Sequence, residues 1–263
     1  RIFLTPFPRV FRPLADIFLY QYNKKSKYVF ENCTSITAVS EKYLHYGLDI
    51  GKRSKSGIDC VYPLAFNRSI LKNSLESDLN NKYSKFGLDI KRTIIWFVGT
   101  FGQTYDLATI IKAANKMKDR DDVQFVFTGD GEQAAQWKLL AKGSANIFFT
   151  GWVNRNELSF LSSIANIGLM SYKKGAPQGL PNKLFEYLSA GLPILSSLGG
   201  ETKSLLIKEG IGLTYKAGDS EDFSKKLVKY IENKKECCMK EISSNPSRYP
   251  QFNFRQKVLS NNG

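Results

Sequence analysis

The chain has 263 residues and a mass of 29.7 kDa, and 42% of its residues are hydrophobic. This size allows one large domain, or a domain and part of another, with a well-buried core. Its apolar runs fall short of the roughly 18 residues that a membrane-spanning helix needs, and we expect no signal peptide.

The net charge of +14 is large, and its density is highest near the start of the chain. Residues 1–70 contain eleven basic and five acidic residues, interleaved with aromatic side chains. Such a surface suits anionic lipid headgroups and could suit nucleic acid, although a lysine-rich composition without function would give the same excess. We expect a cytoplasmic protein that can lie peripherally on the anionic inner face of the cell membrane, with no nucleic-acid partner.

Cysteine and histidine are too few for the usual metal centres. The four cysteines have no metal-ligand spacing and are expected to be reduced thiols, and His45 is the sole histidine. The acidic run at residues 119–122 contains a D-x-D pattern, but it lies between a predicted helix and strand, at the wrong end of a sheet. We therefore predict no metal and no other cofactor.

The first 92 residues are predicted to hold the end of one domain and a polar linker that starts near residue 67. The predicted elements are a helix over residues 14–31, a strand over 35–39, a helix capped by Ser40, a strand over 60–64 and a helix over 69–83.

From residue 93 onward, short apolar strands alternate with helices. Strands are predicted near residues 94–99, 123–128, 146–149, 167–171, 193–196 and 211–214, and helices near 105–117, 132–141, 155–164, 181–190, 201–208 and 220–232. The first of these helices is clearly periodic, with Leu107, Ile110, Ile111 and Ala114 on one face. Repeated strand–helix units predict an α/β fold whose parallel sheet has helices on both faces, and such sheets bind ligands at the carboxyl ends of their strands.

Residues 177–194, PQGLPNKLFEYLSAGLPI, combine a glycine loop, a helix start and an apolar strand. Helix starts bind anions because their first amide hydrogens lack partners and the helix dipole is positive there. Lys183, Glu186 and Tyr187 share one arc, which we expect to face a cleft while the apolar arc packs on the sheet. A cation for a diphosphate and a carboxylate for a hydroxylated ring indicate a nucleotide-sugar. The alternative is an ordinary amphipathic helix with an exposed Lys–Glu pair.

The run PNKLFEYLSAGLPIL resembles the donor-site signature of glycosyltransferase family four, which are retaining enzymes of the GT-B fold. Residues 94–114, 126–131 and 147–153 are similar to that family's first three strands and turns, so the resemblance covers roughly residues 90–235. It implies a Rossmann-like GT-B C-terminal domain preceded by a partial N-terminal domain. We accordingly expect a piece of a longer protein, with an acceptor-side remnant at residues 1–66, a nucleotide-sugar-binding domain at 67–245 and a helical tail at 246–263.

The resemblance also implies the site residues. Lys183 and Gln178 are the catalytic candidates, and Glu186 is the expected partner of the ribose hydroxyls. Gln178 stands where the family has a glutamate, and an amide can bind a sugar hydroxyl but supplies no negative charge. The other donor-binding candidates are Gly102, Gln103, Gly129, Gly151, Trp152, Val153, Gly179, Leu180 and Asn182.

Several of these positions have simpler explanations. Gly102 can belong to a plain strand–helix turn, Gly129 to a tight turn, and Trp152 to the core. The family often supplies an arginine and a lysine just after its first turn, whereas residues 103–105 here are Gln, Thr and Tyr. Lys183 is therefore expected to carry the diphosphate charge.

Taken together, the residues and the family resemblance predict a metal-independent hexosyltransferase that moves a sugar from a nucleotide-diphosphate donor to a saccharide or polyprenyl-linked acceptor, in bacterial surface polysaccharide synthesis. The resemblance implies that the enzyme retains the anomeric configuration. One alternative is a GT-B-like sugar-nucleotide epimerase, which would need further carboxylates and a histidine in the cleft. The other is a non-catalytic basic module that binds membranes or nucleic acid.

Overall fold

The structure, a computed structural model, describes residues 19–62 and 73–232. The chain divides into two compact units, whose described parts are residues 19–62 with Pro177–Leu180, and residues 73–176 with 181–232. The first unit contains helix α1 (Tyr20–Asn32), strand β1 (Thr37–Ala38), helix α2 (Glu41–Gly51) and strand β2 (Cys60–Val61). The two strands pair in parallel. Ser40 caps α2 as predicted, because its side chain accepts a hydrogen bond from the Tyr43 backbone.

The second unit alternates strands and helices, as the sequence predicts. Its elements are α3 (Asn73–Lys85), β3 (Thr93–Val98), α4 (Leu107–Lys116), β4 (Val123–Thr128), α5 (Ala134–Leu140), β5 (Ile147–Gly151), α6 (Arg155–Ile164), β6 (Ile167–Met170), α7 (Asn182–Ser189), β7 (Ile194–Ser196), α8 (Gly200–Lys208), β8 (Gly212–Thr214) and α9 (Ser220–Glu232).

The six strands of this unit form one parallel sheet in the order β5-β4-β3-β6-β7-β8. The chain therefore builds the sheet outward from β3 in one direction, crosses over after β5, and continues from β6 in the other. In sheets of this kind, ligands bind where the order reverses, which here lies between β3 and β6.

The core explains why these segments form these elements. All six residues of β4 are buried, as expected for a parallel strand covered on both sides. The predicted periodic face of α4 is confirmed, since Leu107, Ile110, Ile111 and Ala114 are all buried. Helix α4 packs against α5 and α9, while α6 packs against α3 and β3. The predicted α/β fold with a parallel sheet is confirmed.

Most predicted boundaries agree with the structure within one or two residues. The helices predicted at 155–164 and 220–232 have those bounds. Three predictions extend beyond the described residues. They are the helices predicted over residues 14–31 and 69–83, in part, and the tail predicted at 246–263, as a whole. None of the helices in the described ranges is both long enough and apolar enough to cross a bilayer.

Candidate functional site

The turns that follow β3, β4 and β5 lie side by side at the carboxyl edge of the sheet. The backbone N–H of Gly99 donates to the carbonyl of Thr128, and the N–H of Gly129 donates to the carbonyl of Gly151. The residue that follows β3 and the residue that follows β4 are therefore each bonded to the last paired residue of the neighbouring strand.

The close packing of these turns requires a glycine at position 129. It has a φ of +129°, and a β-carbon built on it would lie 2.0 Å from the carbonyl oxygen of Gly99. Any side chain would break the row of turns, since non-glycine residues also rarely adopt that φ. Gly129 thus has a structural role that accounts for it without a ligand.

Helix α7 is attached to the switch point by Tyr187. The Tyr187 hydroxyl accepts a hydrogen bond from the Val98 N–H and lies 3.1 Å and 3.0 Å from the carbonyl oxygens of Trp96 and Leu169, to either of which it can donate. It therefore joins the ends of β3 and β6, where the direct ladder has stopped. The sequence placed Tyr187 on a cleft-facing arc, and this prediction is wrong: the side chain is fully buried.

Lys183 lies one helical turn before Tyr187 and is also buried, with 5% of its surface exposed. Its Nζ atom has no hydrogen-bond partner among the described residues. Instead it lies over two aromatic rings, 3.4 Å from the centre of Phe97 and 4.2 Å from the centre of Tyr105. Burial lowers the pKa of Lys183 well below its usual value, and the Glu186 carboxylate opposes that shift. A buried ammonium with unused donors is suited to receive an anion.

Glu186 is half-buried on the same helix. Burial raises the pKa of its carboxyl group, and the nearby Lys183 ammonium opposes this rise. The two side chains do not approach within ion-pair distance in the described structure, where Lys183 Nζ has no polar partner at all. The alternative of an exposed Lys–Glu surface pair is therefore wrong, and the Lys183 ammonium keeps its hydrogen-bonding capacity.

The remaining candidates of the second unit are spread along the same carboxyl edge. The backbone N–H of Gln103 donates to the Glu132 carboxylate, and the carbonyl of Gly102 accepts from the Tyr105 N–H. Trp152 follows β5 with 69% of its surface exposed, so the alternative that it fills the core is wrong. Val153 is half-buried, and Asn182 is exposed at the first position of α7.

Gln178, Gly179 and Leu180 belong to the segment that groups with the first unit. Gly179 is buried and the other two are half-buried. The Oε1 atom of Gln178 is buried and has no hydrogen-bond partner within the described ranges. Across those same ranges, no group of three or more His, Cys, Asp or Glu side chains is arranged to hold a metal ion.

Sequence reasoning missed Phe97, Tyr105 and Gly168. In the sequence, Phe97 looks like an ordinary apolar strand residue and Tyr105 like part of a turn. Nothing near either residue indicates a contact with a lysine 78 or more positions later. Gly168 interrupts an apolar strand, which is a sign of close approach by another group. The structure supplies that group, because the Tyr187 ring packs against it.

Strand order and glycine turns define the class of this domain: it is a Rossmann-like α/β domain of the kind found in GT-B glycosyltransferases. Residues 80–243 match the model of the family "Glycosyl transferases group 1", which is more than half of the chain. The chain therefore belongs to this family, and the resemblance seen in its sequence is confirmed.

Relatives of the chain are distant. Escherichia coli K12 WcaI, a putative colanic acid biosynthesis glycosyl transferase, is 22% identical over 163 residues, which make up 61% of this chain and 39% of WcaI. The chain thus spans about two fifths of that relative.

Two solved structures share the fold. Anabaena Alr3699/HepE in complex with UDP-glucose matches with a TM-score of 0.68 and 14% identity, over 91% of this chain and 67% of that protein. WaaG, a glycosyltransferase involved in lipopolysaccharide biosynthesis, matches with a TM-score of 0.65 and 15% identity, over 84% of this chain and 60% of WaaG. Identities this low establish the fold alone.

Proposed function

We propose that this chain binds a nucleotide-diphosphate sugar and takes part in the transfer of its sugar to a saccharide or lipid-linked acceptor. The observation that carries the proposal is Lys183: a buried ammonium with no polar partner among the described residues, at the carboxyl edge of the sheet beside its switch point. Nothing around it in the second unit satisfies its three donors, and the oxygen atoms of a diphosphate would do so.

In this proposal, Lys183 stabilises the diphosphate as it leaves. Negative charge grows on the leaving group in the transition state, and a cation in a water-poor site stabilises that charge more strongly than it would in water. Lys183 would thereby do the work for which other transferases use a metal ion, and we propose that transfer needs no metal. The amide hydrogens at the start of α7 would add partial positive charge to the same place.

Glu186 is proposed to accept hydrogen bonds from the ribose hydroxyls of the donor. It lies one turn along α7 from Lys183, and half-burial leaves its carboxylate reachable. A carboxylate is an acceptor for two neighbouring hydroxyl donors. Lys183 and Glu186 would then hold the phosphate and ribose ends of one ligand.

The reaction is proposed to retain the anomeric configuration. The acceptor hydroxyl would attack the same face from which the diphosphate leaves, and the departing phosphate would take the acceptor's proton. Gln178 would contribute a hydrogen bond to the donor hexose with its amide. Trp152 and the backbone of residues 151–153 would contact the nucleobase.

A role in bacterial surface polysaccharide synthesis is supported by the relatives' names, since WcaI is described as a colanic acid enzyme and WaaG as a lipopolysaccharide enzyme. We propose a location at the inner face of the cell membrane, where a lipid-linked acceptor would be met. HepE was solved with UDP-glucose, which makes UDP and UDP-glucose the first ligands to try here.

The test is a binding panel on the whole chain. Thermal shift and calorimetry with UDP, GDP, ADP, their glucose conjugates and the matching nucleosides, each with and without EDTA, measure the base preference and the need for metal. We expect one diphosphate to bind more tightly than its nucleoside, and EDTA to change nothing. Binding of none of these ligands at millimolar concentration would contradict the proposal. Product analysis of the anomeric configuration, with a saccharide acceptor, tests retention.

A further inference from the structure

The Lys183 ammonium is held by aromatic rings and not by an acid. Its Nζ lies 3.4 Å from the centre of the Phe97 ring and 4.2 Å from that of Tyr105, both within the distance at which a ring face attracts a cation. Those two rings are themselves packed edge to face, with centres 5.2 Å apart and planes at 83°. They form a corner, which we call the aromatic corner, and the ammonium sits in it.

The turn that carries Tyr105 is firmly attached to the neighbouring strand end. The Asp106 N–H donates to the Ser171 carbonyl, and the Ser171 hydroxyl donates to the Asp106 carbonyl. The Tyr105 ring also packs on the ring of Tyr172, with centres 4.8 Å apart. These contacts hold the Tyr105 side of the aromatic corner in place.

A competing partner for Lys183 lies on its own helix. Glu186 is three positions along α7, a spacing at which Lys and Glu side chains on a helix can pair. Such a pair would neutralise the charge of the lysine and occupy the acceptor atoms of the carboxylate, so that neither group could bind the donor. Ring faces differ from a carboxylate in this respect, because they attract the ammonium without accepting its N–H groups in conventional hydrogen bonds.

We propose that Phe97 and Tyr105 are positioning residues that hold the Lys183 ammonium away from Glu186, so that both charged groups of α7 stay available to the donor. Gly99 contributes by leaving room for the ammonium, since a β-carbon built on it would lie 3.0 Å from Nζ. Loss of the Tyr105 ring lets the Lys183 ammonium form an ion pair with the Glu186 carboxylate, and the two charges then neutralise each other.

This inference rests on the proposed function, in which Lys183 serves the diphosphate and Glu186 the ribose. The positioning role predicts a pattern of binding losses that a merely structural role of Tyr105 would not produce. Removing Lys183 impairs diphosphate binding alone, whereas removing the Tyr105 ring impairs nucleoside binding as well, because Glu186 becomes occupied. Removing both should return the nucleoside affinity to the wild-type value.

The experiment is a double-mutant cycle in the whole chain. Calorimetry measures the affinities of UDP, GDP and ADP and of their nucleosides for wild type, Tyr105→Leu, Lys183→Ala and the double variant, with Tyr105→Phe as the matched control that keeps the ring. Tyr105→Leu should lower nucleoside affinity on the order of fivefold, as expected for competition by a partly buried charge pair. Tyr105→Phe should remain within about twofold of wild type, and the double variant should regain the nucleoside affinity.

The outcomes separate the two proposals. If Lys183→Ala weakens diphosphate binding while Tyr105→Leu leaves nucleoside binding unchanged, the positioning role is overturned and the proposed function stands. If Lys183→Ala leaves diphosphate binding unchanged, both are overturned. If the double variant stays as weak as Tyr105→Leu for the nucleoside, Tyr105 acts through general packing and the positioning role is wrong.

A second measurement needs no variant at Tyr105. In wild-type protein labelled with ¹³C at the lysine ε-carbon, the ε-proton signals of Lys183, assigned by their loss in Lys183→Ala, should lie upfield of those of the other lysines because the rings shield these protons. A Lys183 signal at the position of the exposed lysines would show that the aromatic corner is not occupied in solution and overturn the inference.

Discussion

The ring of Tyr187 lies directly against the backbone of Gly168, where a β-carbon would come within 2.4 Å of the tyrosine Cγ atom. This approach lets the Tyr187 hydroxyl reach the gap between β3 and β6 and bond to Val98 and Leu169. Because α7 carries Lys183 and Glu186, the contact between Gly168 and Tyr187 helps to position both of these charged residues against the sheet.

Gly168→Ala should therefore destabilise the protein by roughly 1–3 kcal/mol, the usual effect of forcing extra volume into a packed core. Chemical denaturation measures this loss. Gly57→Ala is the matched control, since a β-carbon there would meet nothing within 4 Å and the residue is exposed in a turn, and it should leave stability unchanged or raise it by less than about 1 kcal/mol. Equal stability of the two variants would show that the Tyr187–Gly168 contact is not tight in solution.

Tyr187→Phe keeps the ring but removes the hydroxyl from the strand ends. It should cost about 1–3 kcal/mol, because the partly buried Val98 N–H loses its partner. Denaturation of Tyr187→Phe and wild type under the same conditions gives the difference. An unchanged unfolding free energy would mean that the hydroxyl does not hold β3 and β6 together.

Glu186→Gln should weaken nucleoside and nucleotide binding alike by roughly 1–3 kcal/mol, the loss expected for a charge-assisted hydrogen bond. Burial raises the pKa of Glu186, so the wild-type carboxyl takes up a proton at a higher pH than an exposed glutamate would. Wild-type affinity should accordingly fall as the pH is lowered through that raised pKa, while the Gln variant shows no such fall. Calorimetry from acidic to neutral pH tests this prediction. If the affinities of the two proteins depend on pH in the same way, Glu186 does not bind the ribose.

Lys183→Ala should lower affinity for the diphosphate markedly and leave affinity for the nucleoside nearly intact. Turnover should fall further than binding, because charge builds up on the leaving group during transfer. Lys183→Arg should rescue only part of the loss, since a planar guanidinium differs from an ammonium in reach and geometry. Equal losses for nucleoside and diphosphate would contradict a specific phosphate role.

Lys183→Met should stabilise the folded protein by roughly 0.5–2 kcal/mol near neutral pH, as often happens when a site residue is relieved of a functional constraint. Burial lowers the pKa of Lys183, so between that lowered pKa and the usual 10.5 the unfolded chain binds more protons than the folded one. Wild-type stability should therefore rise with pH through this window, and the Met variant should lack that rise. The exposed Lys112→Met is the control, and a variant less stable than this control would show that the buried ammonium is well satisfied.

The order of elements along the chain was predictable from local pattern alone. Hydrophobic periodicity decides whether a segment forms a strand or a helix, and it located β4, α6 and α9 to the residue. The placement of Lys183 and Glu186 on one turn of α7 was equally accessible, because helix geometry is local. Ser40 was recognised as a cap for the same reason.

Tertiary structure alone decided what Lys183 and Tyr187 touch. Their neighbours, Phe97, Tyr105 and Val98, come from β3 and its following turn, and they meet α7 only because β6 pairs with β3 instead of with the preceding strand β5. Periodicity states which residues share a face of one element, whereas strand order and register determine which faces meet. The sequence by itself thus determined a Rossmann-like domain carrying a lysine and a glutamate at a helix start, and the folded sheet turned that lysine from a surface cation into a buried one.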